Sequence, residues 1–577
     1  MNMSMIEITI NNKKITVPEG ITILHAAKMA GIEIPTLCYH PDQFIKANCR
    51  VCIVEVKGSK QLPTACSTPV TANMVISTNS TSVLEARKVI LELLLANHDA
   101  DCLICHRNMN CELQKIATQA GVRVNRFENV LEKCETDTSS PSIVRNPNKC
   151  VKCGRCVDIC RDIQGLNIVE KIGRSGEIRV LPAYGRYLSD AGCVACGQCA
   201  TVCPVAAIYE KEEIDQVWEA INNPDLHVIV QTAPAVRVSI GEEFGMEPGS
   251  ISTGKLVASL RRLGFDMIFD TDFTADLTII EEGNELLERI QNGGVLPMIT
   301  SCSPGWINFI EQYYPDLLPH LSSCKSPQQM FGALAKSYYA ESSGIDPSKI
   351  FVTSIMPCTA KKYEAARPEM RIDGRYPDVD AVLTTRELGR MLRQAGIDFA
   401  QLPEEPYDDP FGLSTGAGVI FGSTGGVMEA ALRTVFEKVT GKTLHSLDFH
   451  EVRGLAGIKE AEVDLNGLVA RVAVTHTLSN AAKVLDKIQD GACQYHFIEV
   501  MCCPGGCIGG GGQPYHTTND LRLKRIAAIY QADKQMPLRK SHQNPAVLKL
   551  YESYLGKPLS EKSHHLLHTT YQNRSKL

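Results

Sequence analysis

The sequence predicts a modular chain in which small α+β units precede one large α/β domain with parallel sheets. Three observations carry that expectation. The chain has 577 residues, more than the roughly 250 to 300 at which a single core stops growing. Of its 23 cysteines, 16 fall before residue 204 and seven after it, so sulfur is concentrated in the first third. From about Glu213 onward, short apolar strands alternate with amphipathic helices, the pattern of a parallel sheet covered by helices. The expected units are 1–80, 81–134, 140–212 and 213–577, with the polar stretch Glu135 to Lys149 read as a linker.

Composition narrows the chemistry. Apolar residues at 44% and charged residues at 21% exclude disorder and collagen-like repeats. A mean hydropathy of -0.08 and the lack of a long apolar run argue against a membrane span. The net charge of -6 gives no basic surface for nucleic acid. Met1 to Ile10 lacks the basic end and apolar core of an export signal, so the expected location is cytoplasmic. In a reducing compartment so many thiols point to metal ligation rather than disulfides.

The first unit alternates apolar and polar residues in Ile6 to Ile10 and Lys14 to Val17, then turns helical from Ile23 to Met29, a hairpin plus helix. Cys38, Cys49, Cys52 and Cys66, with the strand Val51 to Val56 after the pair, fit a 2Fe-2S cluster, a four-cysteine zinc site being the competitor. A Leu- and Ile-rich helix, Val83 to Asn97, leads into His98, Cys102, Cys105 and Cys111. One imidazole and three thiolates suit a 4Fe-4S cluster, with a zinc knuckle as alternative. His98 is favoured over His106 because it lies outside the Cys102 to Cys105 turn. Then come Cys150-x2-Cys153-x2-Cys156-x3-Cys160 and Cys193-x2-Cys196-x2-Cys199-x3-Cys203-Pro204. This repeat is the two-cluster ferredoxin run, in which the fourth cysteine of each run ligates the other cluster. Cys150, Cys153, Cys156 and Cys203 therefore form one 4Fe-4S set, and Cys193, Cys196, Cys199 and Cys160 the second.

In the large domain, strands are expected at His227 to Val230, Met267 to Phe269 and Val295 to Thr300, with helices at Thr253 to Leu263 and Leu277 to Ile290. Three apolar strands run straight into cysteines: Val295 to Thr300 into Cys302-Ser303-Pro304-Gly305-Trp306, Ile350 to Ile355 into Met356-Pro357-Cys358, and Phe497 to Val500 into Met501-Cys502-Cys503-Pro504-Gly505-Gly506-Cys507. Ligands of parallel sheets bind beyond the carboxyl ends of strands, so these segments can converge on one buried metal site. The run Gly509 to Gly512 lacks the lysine of a phosphate loop and is read as backbone for close approach to a bulky cofactor. Cys134, Cys324, Cys493 and Cys502 are read as small buried apolar residues. Cys502 stands apart because it precedes Cys503 and can alter the field there.

These segments resemble the signature motifs of di-iron (FeFe) hydrogenases. Met356 to Glu364 and Glu499 to Pro514 carry the second and third motifs in full, and the amino-terminal cysteine patterns follow the order of the longer family members. The resemblance implies a catalytic domain of two parallel-sheet lobes around an H-cluster, a 4Fe-4S cubane bridged to a di-iron unit with CO, CN and an amine dithiolate. It implies a β-grasp fold for the 2Fe-2S unit and three accessory 4Fe-4S clusters. Cys358, Cys503 and Cys507 become cubane ligands, with Cys507 the bridge. Lys361 would donate to a cyanide and Met356 and Met501 would pack on the di-iron unit, while Pro234, Ala235 and Gln328 fall at cofactor-facing positions.

The first motif departs from the family: it reads Thr300-Ser301-Cys302-Ser303, where relatives have two adjacent cysteines. Strict register makes Cys302 the proton relay and puts Ser303 at a cubane ligand position; a small shift would let Cys302 ligate and the serine relay. Ala235 stands where relatives often carry a serine. Glu282 and Glu285 share one helix face with Arg289 one turn on, and with Ser322 they resemble the family's proton route; a solvated helix face is the bland alternative. The single-serine first motif resembles that of catalytic subunits in NAD-linked, electron-bifurcating complexes. That implies a hetero-oligomer with a flavoprotein NAD(H) subunit, a small 2Fe-2S subunit and ferredoxin, in an anaerobic setting, with H2 and protons as reactants. A stand-alone ferredoxin-linked hydrogenase, an iron-sulfur subunit of an NADH dehydrogenase-like complex, and a sensor are the competing readings.

Overall fold

The computed structural model describes residues 4–128, 132–174, 177–444, 446–464 and 469–575. At the amino terminus, strands Met5–Ile10 and Lys13–Pro18 pair antiparallel with Ile8 opposite Ile15. Val75–Ser77 joins the first strand in parallel and Glu55–Val56 closes the sheet. The alternation puts Ile6, Ile8 and Ile10 on one face, against Ile23 and Ala26 of the helix Ile23–Met29. The Thr22 hydroxyl caps that helix by accepting the His25 N–H. Only Glu55–Val56 of the expected Val51 to Val56 strand is regular, because the chain ahead of it turns to bring Cys49 and Cys52 inward.

The helix Thr81–Ala96 follows, capped by Ser80. The polar stretch read as a linker is instead part of the next unit. Ile143–Arg145 pairs antiparallel with Ile208–Glu210, and Asp137 bridges to Arg145. Its polar side chains serve local hydrogen bonds rather than solvent: Asp137 Oδ2 accepts the Leu188 N–H at 2.8 Å, and Asn148 bonds both the N–H and the carbonyl of Cys134.

The large domain holds two four-stranded sheets. In the first, Met267–Asp270, His227–Thr232, Ile350–Met356 and Ala381–Thr384 lie side by side, all parallel. In the second, Met298–Ile299, Phe497–Met501 and Val469–His476 are parallel and Ile458–Asp464 adds an antiparallel edge. The first sheet sits in one apolar core, and the second separates two, with Met298, Val472 and Phe497 on one face and Ile299, Ala473 and Ile498 on the other. The helix Thr271–Asn292, buried along most of its length, packs against Pro327–Leu334, Gly416–Val419 and Gly426–Thr440 between the lobes. Glu499 of the third motif is structural here: its buried carboxylate accepts the N–H groups of Gly425 at 2.6 Å and Met428 at 2.8 Å, at the positive end of helix Gly426–Thr440.

The two-run cysteine unit is bolted to the sheet ends. Gln164 Nε2 donates to the Cys502 carbonyl at 3.1 Å, Gln198 Nε2 to the Gly509 carbonyl at 2.8 Å, and Thr359 Oγ1 to the Ala195 carbonyl at 2.8 Å. Glu210, on the last strand of that unit, is buried between Arg386 at 2.7 Å and Arg390 at 2.8 Å. Among the described residues no helix is long and apolar enough to cross a membrane.

Candidate active site

Three strand ends meet at one cavity of about 80 Å³, whose walls are almost entirely apolar. Cys302 and Ser303 come from the loop after Met298–Ile299, Cys358 from the loop after Ile350–Met356, and Cys502, Cys503 and Cys507 from the loop after Phe497–Met501. Met356, Met501, Pro234, Gln328 and Lys361 complete the wall. Ala235 is buried beside it, with its carbonyl accepting from Ser239 Oγ at 2.8 Å. Sequence reasoning missed Phe421, Thr271 and Ala275, which also line the space. They carry no motif of their own, and only the fold brings them here.

The polar groups are few and specific. Lys361 Nζ donates to the Cys302 carbonyl at 3.2 Å, Ser326 Oγ at 2.8 Å and Glu364 Oε2 at 2.8 Å, so a bound cyanide would have to take over one of these bonds. Gln328 is held through Nε2 by Glu364 at 3.1 Å, and its buried Oε1 has no partner. Burial pushes the Cys302 thiol up, and the nearby Glu282 carboxylate adds to it. Burial and the neighbouring Cys503 push Cys507 up to about 12 and Cys358 up as well. Buried thiols crowded on an apolar void are soft donors that iron-sulfur iron would satisfy and water would not. The residues present therefore fit an iron-sulfur group.

Of Gly509 to Gly512, Gly510 lines the cavity, and the run has a second use. A Cβ on Gly510 would stand 2.0 Å from the Pro357 carbonyl, and one on Gly511 would stand 2.2 Å from the Cys196 carbonyl. The missing side chains also let this backbone touch the second motif and the Cys193 to Cys203 run.

Beside Cys302 runs a line of buried polar groups. Glu282 is fully buried and its carboxyl is pushed up to about 8, first by burial and then by Glu285. The Ser322 hydroxyl donates to Glu285 Oε2 at 2.8 Å and also neighbours Glu282. Glu285 Oε1 meets Arg289 at 2.7 Å, near the surface. A solvated helix face would have left these carboxylates in water. A second network lies next to this line: Ser323 Oγ pairs with His568 Nδ1 at 2.8 Å, and His568 Nε2 with Glu281 Oε2 at 3.2 Å. It was invisible in the sequence because 287 residues separate its ends.

The amino-terminal cysteines gather in the same way. Cys150, Cys153, Cys156 and Cys203 line one small cavity of about 20 Å³. Cys160 lies next to Cys196, and Cys199 is surrounded by Cys196, Cys193 and Cys160. The crossing of the fourth cysteine between runs is thus built into the fold. In the first unit the thiols form two hydrogen-bonded pairs, Cys38 with Cys49 and Cys52 with Cys66. Cys105 neighbours both Cys102 and Cys111. His98 Nδ1 pairs with the Lys149 carbonyl at 2.9 Å, which fixes the ring and leaves Nε2 for a metal. His106 is engaged elsewhere, stacked on Tyr209 at 4.0 Å and 3.8 Å from Glu212.

A buried thiol-lined cavity, a carboxylate line to the surface and cysteine clusters docked on its wall define an iron-sulfur redox enzyme. Comparison with known proteins places it more closely. Residues 226–511 match the family described as iron only hydrogenase large subunit, C-terminal domain, and residues 519–574 the iron hydrogenase small subunit. Residues 3–81 match a 2Fe-2S iron-sulfur cluster binding domain, 87–126 the NADH-ubiquinone oxidoreductase-G iron-sulfur binding region, and 149–207 a 4Fe-4S dicluster domain. The chain is 51% identical over the full length of both proteins to the NADP-reducing hydrogenase subunit HndD of Solidesulfovibrio fructosivorans. It is 44% identical, over 98% of this chain and 99% of the other, to iron hydrogenase 1 of Clostridium pasteurianum. The solved FeFe-hydrogenase HydA1 from Chlamydomonas reinhardtii is similar at a TM-score of 0.58 and 45% identity, covering 63% of this chain and all of that one. The chain belongs to the iron-only (FeFe) hydrogenases: it is a hydrogenase with accessory iron-sulfur clusters, an oxidoreductase acting on H2, with a catalytic domain of the H-cluster type.

Proposed function

We propose that this chain is the hydrogen-handling subunit of an NAD(P)-linked, electron-bifurcating complex, cytoplasmic and anaerobic in its working conditions. The observation that carries hydrogen chemistry to this place is the meeting of Cys302, Cys358, Cys503 and Cys507 on one apolar cavity with Glu282 beside it. Cys358, Cys503 and Cys507 would hold the cubane and Cys507 would bridge to the di-iron unit. When bound, the H-cluster supplies the iron and the amine between which hydrogen is cleaved or formed.

The protein's own residues do the rest. The apolar walls exclude water and stray protons. Cys302, neutral because it is buried, carries a proton at its sulfur to Glu282, and Glu282 holds it as a neutral acid at working pH. Ser322 hands it to Glu285, whose pairing with Arg289 opens the line to solvent. Electrons travel through the amino-terminal units, whose expected bounds are those given above: three accessory 4Fe-4S clusters, one with His98 as ligand, and one 2Fe-2S cluster.

The chain has no nucleotide-binding motif, so a flavoprotein would bind NAD(P)(H), with a small 2Fe-2S subunit and ferredoxin as further partners. The full-length likeness to a subunit of an NADP-reducing hydrogenase supports this reading. Anaerobic isolation of the native assembly, with flavin and iron counted, tests it. The expected result is H2-dependent NAD(P)+ reduction that requires ferredoxin as co-acceptor. Activity of the lone chain with ferredoxin, and no flavoprotein attached, would instead mark a stand-alone hydrogenase.

A further inference from the structure

The first motif lacks a sulfur at position 303, and the fold supplies one beside it. We propose that Cys502 is the fourth protein ligand of the H-cluster cubane and that Ser303 is a hydrogen-bonding neighbour. This rests on the assignment of Cys358, Cys503 and Cys507 as the other three ligands.

Neighbouring side chains on an extended strand project to opposite faces. The strand Phe497–Met501 stops one residue before Cys502, and the bend that follows brings the thiols of Cys502 and Cys503 within hydrogen-bonding reach of each other. Both face the cavity that Cys358 and Cys507 line. The first motif is shaped around this sulfur: a Cβ on Gly305 would stand 2.8 Å from Cys502 Sγ, so the glycine two positions after Ser303 leaves the space the thiol fills.

Ser303 has another occupation. It precedes the helix Pro304–Tyr313 without capping it, and its hydroxyl accepts the Cys502 N–H at 3.2 Å. As a ligand it would have to become an alkoxide, a harder donor that suits iron-sulfur iron less well than a thiolate. Ligation by Cys502 forms one Fe–S bond, releases the thiol proton to solvent as the cluster assembles, and moves no electron. The Cys502 thiol also lies against Cys196 of the dicluster unit, and its carbonyl is fixed by Gln164 at 3.1 Å. The ligand exchange therefore places a cubane sulfur against a sulfur of the adjoining cluster.

The test uses the full chain made without the machinery that builds the di-iron unit, so that iron content and EPR report the cubane and the accessory clusters directly. Cys502→Ala is expected to lose about four iron atoms per chain or to show a three-iron cluster in place of the cubane. Ser303→Ala is expected to keep the full iron content, and Ser303→Cys added to Cys502→Ala to restore the cubane signal. Unchanged accessory signals in each variant show that the chain has folded. Loss of the cubane in Ser303→Ala with retention in Cys502→Ala overturns the proposal in favour of serine ligation, and retention in both overturns it as well. Full iron content in Cys358→Ala would overturn the underlying ligand assignment instead.

Discussion

The amino-terminal units and the catalytic cavity gather cysteines by opposite means. In Cys150 to Cys160, four thiols are presented by 11 consecutive residues, and the chain's local turns do most of the work. In the cavity, Cys302, Cys358 and Cys507 come from segments more than 200 residues apart at the extremes, and two sheets with a central helix must be in place before they meet. A local site tolerates damage to distant packing. A site assembled by topology is only as precise as the sheets that aim it, which is why its surroundings are so thoroughly bonded: Glu499 on a helix end, Gln164 and Gln198 on its loops, Lys361 on three acceptors.

The largest effects are expected from removing one sulfur from each kind of site. Cys507→Ala should abolish hydrogen turnover, a loss of more than about 10^3-fold as when a reactive centre is removed, while leaving the accessory EPR signals intact. Cys105→Ala should leave H2 chemistry with an artificial dye measurable and stop electron delivery to the physiological acceptor. If Cys105→Ala silences dye-linked turnover as well, the modules are not independent of the cavity.

The proton line comes next. Glu282→Gln should lower turnover by about 10^2- to 10^4-fold, the usual worth of a positioned acid or base, with iron content unchanged. Its carboxyl rises from the ordinary 4.5 to about 8 on folding, so the folded chain holds this proton more tightly than the unfolded one. The stability that gives is complete below about pH 4.5 and is lost as pH rises through 8. Glutamine does not titrate, so the unfolding temperature of Glu282→Gln relative to wild type should climb between pH 4.5 and 8 and level off above. A gap independent of pH would show that Glu282 is already charged in the folded protein.

The same contrast explains what could be read in the sequence. The C-x2-C runs, the hairpin of the first unit and the strand-to-cysteine junctions were legible because neighbours in sequence make them. Even the crossing of Cys160 and Cys203 between clusters is local to one repeat. Phe421 on the cavity wall and the Glu281–His568 pair were not, since each depends on a long-range contact with no periodic or spacing signal. The stretch Glu135 to Lys149 was misread for a related reason: polarity looks like solvent exposure when the hydrogen-bond partners, such as Leu188 for Asp137, lie far along the chain. The strand Val295 to Thr300 is shorter than its apolar run suggests: Val295 stays exposed and Leu296 is only partly buried, and only Met298–Ile299 pairs.

The joint between the two regions is open to a smaller perturbation. Glu210 and Arg386 are each 1% exposed at the side chain, and Arg390 shares the same carboxylate. Removing one partner of a buried pair leaves uncompensated charge, worth about 3 to 5 kcal/mol. Glu210→Ala should therefore loosen the dicluster unit from the catalytic domain, seen as earlier proteolysis of the 135–212 segment, while both sets of clusters still assemble. If the cleavage pattern does not change, the bonds made by Gln164, Gln198 and Thr359 hold the joint without it.

The mildest test compares two histidines. His98 has its Nδ1 committed to the Lys149 carbonyl, which orients Nε2 and raises its basicity as a ligand. His106 is spent on Tyr209. His106→Ala should leave iron content and every cluster potential where they were. His98→Cys should keep the cluster but replace a neutral ligand with a thiolate, adding one negative charge next to the iron, so its reduction potential must fall. Potentiometric EPR titration of the two variants reads the shift directly. Loss of cluster iron in His106→Ala, with the potential unmoved in His98→Cys, would exchange their roles and would mean that the ring packed on Tyr209 leaves its stack when metal binds.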